Sequence, residues 1–267
     1  MGLKLIHKNL PHIQGNTMEK IKLSPSSSGR YLTCSASILH NQGSSENETT
    51  LKGTLQHEVA FYKLSQVLFN EDHRETISTL TNVNNWFESK ENPNLKVKWS
   101  KEYEVTVNSY VEYVRALVNE YQPTQAFLEY KIQMRFHDND IRGTVDCAFI
   151  LENGDIIIVD LKTGRTKVKT EDNNQMLMYA YGIVQDVWKT TKRLPQNVII
   201  SIYQPLVNNT NAVSYTLQQL MDWYIEKTNV MNEINTGNLV YRPSKEACKF
   251  CQYKMNCNER IKKGVVV

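Results

Sequence analysis

The sequence predicts an α/β fold in which a mixed central sheet is flanked by helices. Two changes of pattern indicate this fold. The first is at Gln125: apolar residues recur at helical spacing up to residue 121 and at the spacing of strands from Gln125 onwards. The second is the return, after these strands, to a further helix and strand. Because 40% of the 267 residues are hydrophobic, the chain can bury one sizeable core, and we expect a single domain over residues 1–267.

The N-terminal part is expected to contain a short helix and a loop. Ser24 and Pro25 are typical of an N-cap followed by a first-turn proline, and they open a helix that leads to Cys34. Residues 41–50 are polar and predict a loop. This segment therefore separates the short helix from the longer helices that follow.

Two long helices are expected next. The first should start near Thr54 and carry His57 in its first turn. Residues 70–98 are polar and give no clear pattern. Ser100 then caps a second helix, whose apolar residues repeat at helical spacing up to Tyr121.

A meander of three strands is predicted after these helices. The first strand begins at Gln125, the second covers residues 142–151 and the third covers residues 155–161. The dipeptide Asn153-Gly154 lies between the last two strands and is the preferred filling of a tight hairpin turn.

Three further elements complete the predicted fold. We expect a helix over residues 174–189, a fourth strand over residues 197–203 and a last helix from Thr216 to about Asn235. A cysteine-rich tail follows, and the sequence contains no internal repeat.

Asp160 and Lys162 lie at the end of the third predicted strand, and Asp146 lies on the strand paired with it. Strand alternation places Asp160 and Lys162 on one face and Leu161 on the other. Asp146 and Asp160 lie at nearly equal distances from the turn, so we expect them to be close to cross-strand neighbours. Converging carboxylates repel unless a cation lies between them, and Mg²⁺ or Mn²⁺ prefers such oxygen ligands. The alternative is a solvated Asp–Lys salt bridge, which an isolated Asp-x-Lys would favour.

A glutamine and a tyrosine follow on the predicted helix. Gln175 and Tyr179 lie four residues apart and therefore share a face. Side chains of these types can hold a phosphate backbone. The alternative is an ordinary amphipathic helix, in which Tyr179 belongs to the core.

Four short motifs resemble, in order and spacing, the motif series of RecB-like nucleases of the PD-(D/E)XK superfamily. They are Gly53-Thr-x-x-His57, Gly143-x-x-Asp146, Asp160-x-Lys162 and Gln175-x-x-x-Tyr179. The resemblance covers residues 53–203, the expected catalytic core. It implies a restriction-endonuclease-like fold and metal-dependent hydrolysis of DNA.

The resemblance also implies a role for each of these residues. The metal ligands would be His57, Asp146, Asp160 and, through its backbone carbonyl, Leu161. Lys162 would position the attacking water, while Gln175 and Tyr179 would hold the DNA strand or steady the catalytic strand. Glu129 matches an acidic position common in the family and is an additional candidate.

Four of the five cysteines form a pattern typical of a metal site. These four are Cys34, Cys248, Cys251 and Cys257. Three clustered thiolates require a fourth ligand from elsewhere, and Cys34 is the expected donor. Cys147 follows Asp146 directly and is predicted to be a buried structural thiol on the core side of its strand.

This arrangement of cysteines resembles the iron–sulfur branch of the same superfamily. That branch includes CRISPR-associated protein 4, the nuclease domain of AddB and a family found in phages or prophages. The resemblance implies a [4Fe–4S] cluster, held by residues 24–36 and 245–258, that ties the terminal segments to the core. A structural zinc ion is the alternative, because sequence separates the two kinds of four-cysteine site poorly.

Binding of DNA is expected from local patches, because the formal charge of the chain is only +3. Arg165, Lys167 and Lys169 follow the third strand and are candidates for contacts with phosphates. The alternative is a solvated charged loop. The tail carries a second basic cluster. No sequence-reading motif is present, so we expect backbone contacts with little sequence preference.

The sequence therefore predicts a metal-dependent deoxyribonuclease, an exonuclease of phage or bacterial recombination, repair or replication, whose protein partners would act in the same processes. One alternative is a catalytically silent DNA-binding or scaffold module of the same fold. Another is a zinc-stabilised interaction protein. We find neither a signal-peptide pattern nor a run of roughly 20 apolar residues. A cytoplasmic protein with reduced cysteines and no membrane contact is therefore expected.

Overall fold

The computed structural model describes residues 4–5, 23–40, 46–71, 86–89, 92 and 94–267. Its strands are β1 (Lys4–Leu5), β2 (Trp86–Glu88), β3 (Lys96–Lys98), β4 (Gln125–Phe136), β5 (Asn139–Ile150), β6 (Ile156–Leu161), β7 (Asn197–Gln204) and β8 (Asn209–Thr216). Its α-helices are α1 (Ser28–Tyr31), α2 (Glu48–Phe69), α3 (Lys101–Tyr121), α4 (Asn174–Thr191), α5 (Leu217–Thr236), α6 (Lys245–Lys249) and α7 (Asn258–Lys262).

Six strands form one mixed sheet in the order β1-β4-β5-β6-β7-β8. The pairs β1–β4 and β6–β7 are parallel, and the other three pairs are antiparallel. Strands β2 and β3 form a separate antiparallel ribbon. The predicted α/β fold with a mixed central sheet is therefore confirmed.

Helices cover both faces of the sheet. One apolar cluster joins α4 and α5 to the first face, through residues such as Met178, Leu220 and Ile158. A second cluster joins α2 and α3 to the opposite face, through residues such as Leu55 and Val107. The central strands are therefore buried on both sides, and any polar group at their ends is held in a rigid frame.

Most predicted elements occur close to their expected limits, but α2 begins about two turns early. Asn47 caps this helix: its side chain accepts a hydrogen bond from the Thr50 amide, and the Thr50 hydroxyl accepts one from the Asn47 amide. The polar run was predicted to be a loop, and part of it instead supplies the cap and first turn. The prediction that His57 lies in the first turn is therefore wrong, because His57 is the tenth residue of α2. Residues 41–45 of the predicted loop lie outside the described residues.

The turn between β5 and β6 is also longer than predicted. Residues 151–155 connect the strands. The Leu151 amide donates a hydrogen bond to the Asp155 carbonyl, and Gly154 has a φ of 89°. The Asn153 side chain accepts from the Asp155 amide at 3.0 Å. The expected glycine conformation is present, but in a five-residue connection rather than a two-residue hairpin turn.

The tail packs against the first described helix. Helix α1 contacts α6, and Cys34, Ala36 and Ala247 form a small apolar cluster with Leu239. Within the described residues, none of the helices combines the length and apolarity needed to cross a membrane.

Candidate active site

A local irregularity in strand β4 forms the base of the site. Glu129 lies within this strand but has a φ of 45°, in the left-handed region that costs energy for a residue other than glycine. Its neighbours Leu128 and Tyr130 belong to the apolar clusters on opposite faces of the sheet, although residues two apart in a regular strand share a face. Leu128 pairs with Cys147 of β5 and Tyr130 pairs with Val145, so Glu129 faces Asp146.

Helix α2 adds a histidine to these two carboxylates. One ligand atom from each of His57, Glu129 and Asp146 lies within 4.8 Å of the others. His57 Nδ1 is 3.3 Å from Asp146 Oδ1. In the part of the chain that the structure describes, this is the one group of three His, Cys, Asp or Glu side chains with such a spacing. One imidazole and two carboxylates form a donor set that suits a divalent cation.

The second carboxylate oxygen of Asp146 ties two strands together. Asp146 Oδ2 accepts a hydrogen bond from the Leu161 amide at 2.8 Å. The ladder between β5 and β6 ends at Cys147 and Val159, so Asp146 and Asp160 occupy the next positions on each strand. The two aspartates are therefore cross-strand neighbours, as the turn offsets predicted.

A hydrogen-bonded network surrounds Asp160 at the end of β6. Lys162 Nζ lies 2.8 Å from Asp160 Oδ2 and donates to Gln175 Oε1 at 3.1 Å. Gln175 Nε2 lies 3.4 Å from Asp160 Oδ1 and donates to the Tyr179 hydroxyl at 3.0 Å. Gln175 and Tyr179 therefore share the helix face that the spacing predicted, and this face meets the end of β6.

A glycine allows the N-terminal segment to approach this network. A Cβ atom on Gly143 would lie 2.7 Å from Pro25 Cγ and 3.2 Å from Tyr179 Cε1. Only a residue without a side chain fits at this position without displacing its neighbours. The approach of Pro25 to Gly143 was not predicted from the sequence.

The charges of His57, Glu129 and Asp146 influence one another strongly. Burial disfavours the charged form of His57, but Asp146, with Glu129 and Asp160, outweighs it and raises the pKa of His57 to about 9. Burial and the Asp146 carboxylate raise the pKa of Glu129 to about 8. The neighbouring Glu58 carboxyl raises the pKa of Glu129 further. The group therefore concentrates acidic side chains that a cation would stabilise.

Lys162 keeps its positive charge although it is partly buried. Burial alone would lower the pKa of Lys162, but Asp160 and Asp146 outweigh this effect and raise it. Burial also raises the pKa of Asp160, although the Lys162 ammonium opposes that shift. Lys162 is therefore a cation at neutral pH, held by groups on β6 and α4.

The structure brings most of the candidate residues together, but it groups two of them differently from the prediction. Glu129, named from sequence as an additional candidate, belongs to the three-residue group, whereas Asp160 lies beside that group and contacts Lys162 and Gln175. A metal-binding role for Asp160 and for the Leu161 carbonyl stays a prediction. Glu58 was not identified from sequence, and its position next to His57 in α2 was the available signal.

The predicted cysteine set also converges. Burial and the nearby Cys251 and Cys257 raise the pKa of the Cys34 thiol, and burial and the other three raise that of Cys248. The Cys34 sulfur also accepts a hydrogen bond from the Arg242 amide at 3.3 Å. Cys147 is fully buried in the core between α2, α3 and the sheet, which confirms its expected position.

The candidate DNA-binding loop is exposed but partly paired. Arg165 forms an ion pair with Glu102 at 2.6 Å, and Lys169 forms one with Glu171 at 3.0 Å. Lys167 is exposed, and no ion pair joins it to the other described residues. Of the three candidates, Lys167 therefore has the charge most available for a phosphate.

Comparisons with known proteins give a family and two similar structures. No curated protein matches the sequence. The crystal structure of SSO0001 aligns with a TM-score of 0.41 and 11% identity, covering 91% of this chain and 89% of that chain. The crystal structure of a "putative exonuclease" from Eubacterium rectale aligns with a TM-score of 0.48 and 10% identity, covering 89% of this chain and 88% of that chain. A family model matches residues 21–266, and the chain therefore belongs to the family described as "Protein of unknown function (DUF2800)".

Proposed function

We propose that the protein is a divalent-metal-dependent deoxyribonuclease whose site is of the PD-(D/E)XK type. One observation carries the proposal. The group formed by His57, Glu129 and Asp146 adjoins the Asp160–Lys162 pair at the end of β6. A cation-binding group beside a fixed ammonium suits hydrolysis of a phosphodiester, because the reaction develops negative charge on oxygen.

The donors fit Mn²⁺ or Mg²⁺. His57, Glu129 and Asp146 would hold the ion, and Asp160 lies across the strand pair from Asp146. The ion would lower the pKa of a water molecule and stabilise charge on the scissile phosphate. The coupled carboxylates support the assignment, because their repulsion favours a bound cation.

The chain's own residues would orient the reactants. Lys162 is held by Asp160 and Gln175, so its remaining donor capacity can be directed at a water molecule or a phosphate oxygen. Gln175 is fixed in turn by Tyr179. Preorganised donors of this kind lower the barrier without reorganising during the reaction.

Two alternatives predict different behaviour. A catalytically silent DNA-binding module of this fold would not need Lys162 to be fixed beside Asp160, so the network of the lysine favours the enzyme. A zinc-stabilised interaction protein would not need the group on α2, β4 and β5. The cluster of four cysteines accords with either a [4Fe–4S] cluster or zinc, and we include the iron–sulfur cluster in the proposal.

The direct experiment is digestion of end-labelled DNA by the purified full chain. Linear single strands, linear duplexes, closed circles and RNA would each be incubated with Mn²⁺, Mg²⁺ or a chelator. We expect metal-dependent loss of linear DNA from its ends, with closed circles preserved. Cleavage of circles would replace exonuclease with endonuclease action, and the absence of cleavage of any substrate with either metal would contradict the proposal.

A further inference from the structure

Positive charge in this chain is concentrated in the tail. Residues 243–267 contain six basic and two acidic side chains, a net charge of +4, whereas the whole chain carries +3. The remainder of the molecule is therefore slightly acidic. A polyanion approaching the protein would be attracted to the tail first.

Exposed apolar side chains lie among these charges. Phe250 is 72% exposed and Met255 is 69% exposed. Lys249 Nζ lies 5.0 Å from the centre of the Phe250 ring. A solvent-exposed aromatic ring beside lysines has the chemistry of surfaces on which unpaired bases stack.

The backbone around Phe250 is held in place. The Phe250 carbonyl accepts a hydrogen bond from Arg30 Nη1 at 3.2 Å, and the ring of His40 stacks on Tyr253 with centroids 3.8 Å apart. Both contacts join the tail to the segment that carries Cys34. A ring on a fixed backbone loses little conformational entropy when a base stacks on it.

The same segment reaches the candidate active site. Pro25 lies five residues before Arg30, and Pro25 and Tyr179 both lie close to Gly143. Helix α1 contacts both α6 in the tail and α4, so one short segment connects the tail to the helix that carries Gln175 and Tyr179.

We infer that the tail surface, formed by Lys249, Phe250 and Lys254, binds single-stranded DNA, with Phe250 stacking on a base. Duplex DNA fits this surface less well, because its bases are already stacked and paired. The choice of DNA rests on the proposed function.

Binding can be measured separately from cleavage. The Lys162→Ala protein, with no added metal, would be titrated into a fluorescein-labelled single strand and into the matching duplex over a series of KCl concentrations. We expect tighter binding of the single strand. Phe250→Ala should weaken it by at least ~5-fold, the loss expected for one stacked base. Phe250→Tyr should retain the affinity because it keeps the stacking surface.

A matched control lies at the other end of α4. Trp188 is also exposed, at 47%, and Lys192 lies 4.6 Å from the centre of its ring. Trp188→Ala should leave the affinity unchanged. Lys249→Ala should reduce the slope of log affinity against log salt by about 0.7, the value for one phosphate contact on a single strand.

The outcomes distinguish the surface from the enzyme. Equal affinities of Phe250→Ala and the parent protein would overturn the inference, even if the wild-type protein digests DNA. Weakening by Trp188→Ala instead of Phe250→Ala would also overturn it and would move the surface to the end of α4. Binding that depends on Phe250 in a protein that cuts nothing would support the surface and contradict the proposed nuclease.

Discussion

At the scale of single residues, His57 determines which cation the site should prefer. Imidazole nitrogen suits transition metals, whereas Mg²⁺ prefers oxygen ligands alone. We therefore expect Mn²⁺ to bind more tightly than Mg²⁺. His57→Ala should weaken Mn²⁺ by at least ~10-fold and Mg²⁺ by less, because loss of a direct ligand costs no less than loss of an outer-shell partner.

Isothermal titration of the metal-free protein with each ion would measure this difference. Gln66→Ala is a suitable control, since Gln66 is exposed on the same helix. Equal weakening of both ions by His57→Ala would contradict a direct bond from the imidazole.

The residue scale also shows what sequence could and could not predict. Spacing predicted that Asp146 and Asp160 are neighbours, because strand pairing is fixed by the turn and by alternation. The convergence of Glu129 on His57 depends on a left-handed backbone in β4. The only sign of this irregular backbone in the sequence is that the apolar residues Phe127 and Tyr130 are three residues apart, whereas a regular strand would place residues of one face two apart. No rule of regular strands gives the direction of the Glu129 side chain there.

At the scale of secondary-structure elements, Gly143 controls how closely the N-terminal segment approaches β5 and α4. Gly143→Ala would place a methyl group against Pro25 and Tyr179. Overpacking of this kind costs about 1–3 kcal/mol. We expect a lower free energy of unfolding in urea, together with weaker tail contacts.

Gly164→Ala provides the control for this substitution. A Cβ atom there would have no neighbour within 4 Å, and Gly164 needs no left-handed backbone. This variant should unfold at nearly the wild-type urea concentration. Equal stability of the two variants would mean that Pro25 can move away from Gly143 at little cost.

The candidate DNA-binding residues in the loop after β6 differ in whether their charges are already paired. Lys167→Ala should reduce the salt dependence of duplex binding by about 0.9 in slope if it contacts one phosphate. Lys169→Ala should have a smaller effect, since Lys169 is already paired with Glu171. Fluorescence anisotropy over a salt series would show the difference, and an unchanged slope for Lys167→Ala would assign the loop to solvent.

Elements were predicted best where their end signals were strong. Ser100 and Thr216 cap α3 and α5 as expected. The start of α2 was misplaced because its Asn47 cap lies in a polar run typical of loops. Strand β8 was not predicted, because this edge strand is largely exposed and carries few apolar residues to mark its alternation.

At the scale of the whole molecule, Cys34 and the cysteines of the tail lie near one another. Cys34 approaches the tail cysteines, so a cluster held by all four would close a loop around the sheet. Four thiolates can hold either a [4Fe–4S] cluster or one zinc ion.

The proposed iron–sulfur cluster predicts that anaerobically purified protein is brown and contains iron and acid-labile sulfide. Cys34→Ser should remove the colour as fully as Cys251→Ser, and both should lower thermal stability, because binding of the cluster contributes to folding. Cys147→Ser should keep the colour. A colourless protein with stoichiometric zinc would contradict the cluster, and a coloured Cys34→Ser protein would contradict the joining of the two ends.

The proposed hydrolysis of a phosphodiester depends on the network formed by Lys162, Asp160 and Gln175. The most direct test is the single-turnover rate of cleavage of end-labelled DNA by Asp160→Ala, Lys162→Ala and the wild-type protein, with DNA affinity measured in parallel. Lys131→Ala, an exposed lysine on β4, is the control. We expect both site variants to lose at least ~100-fold in rate while keeping their fold and most of their affinity. Near-normal rates in either variant would contradict the assigned site.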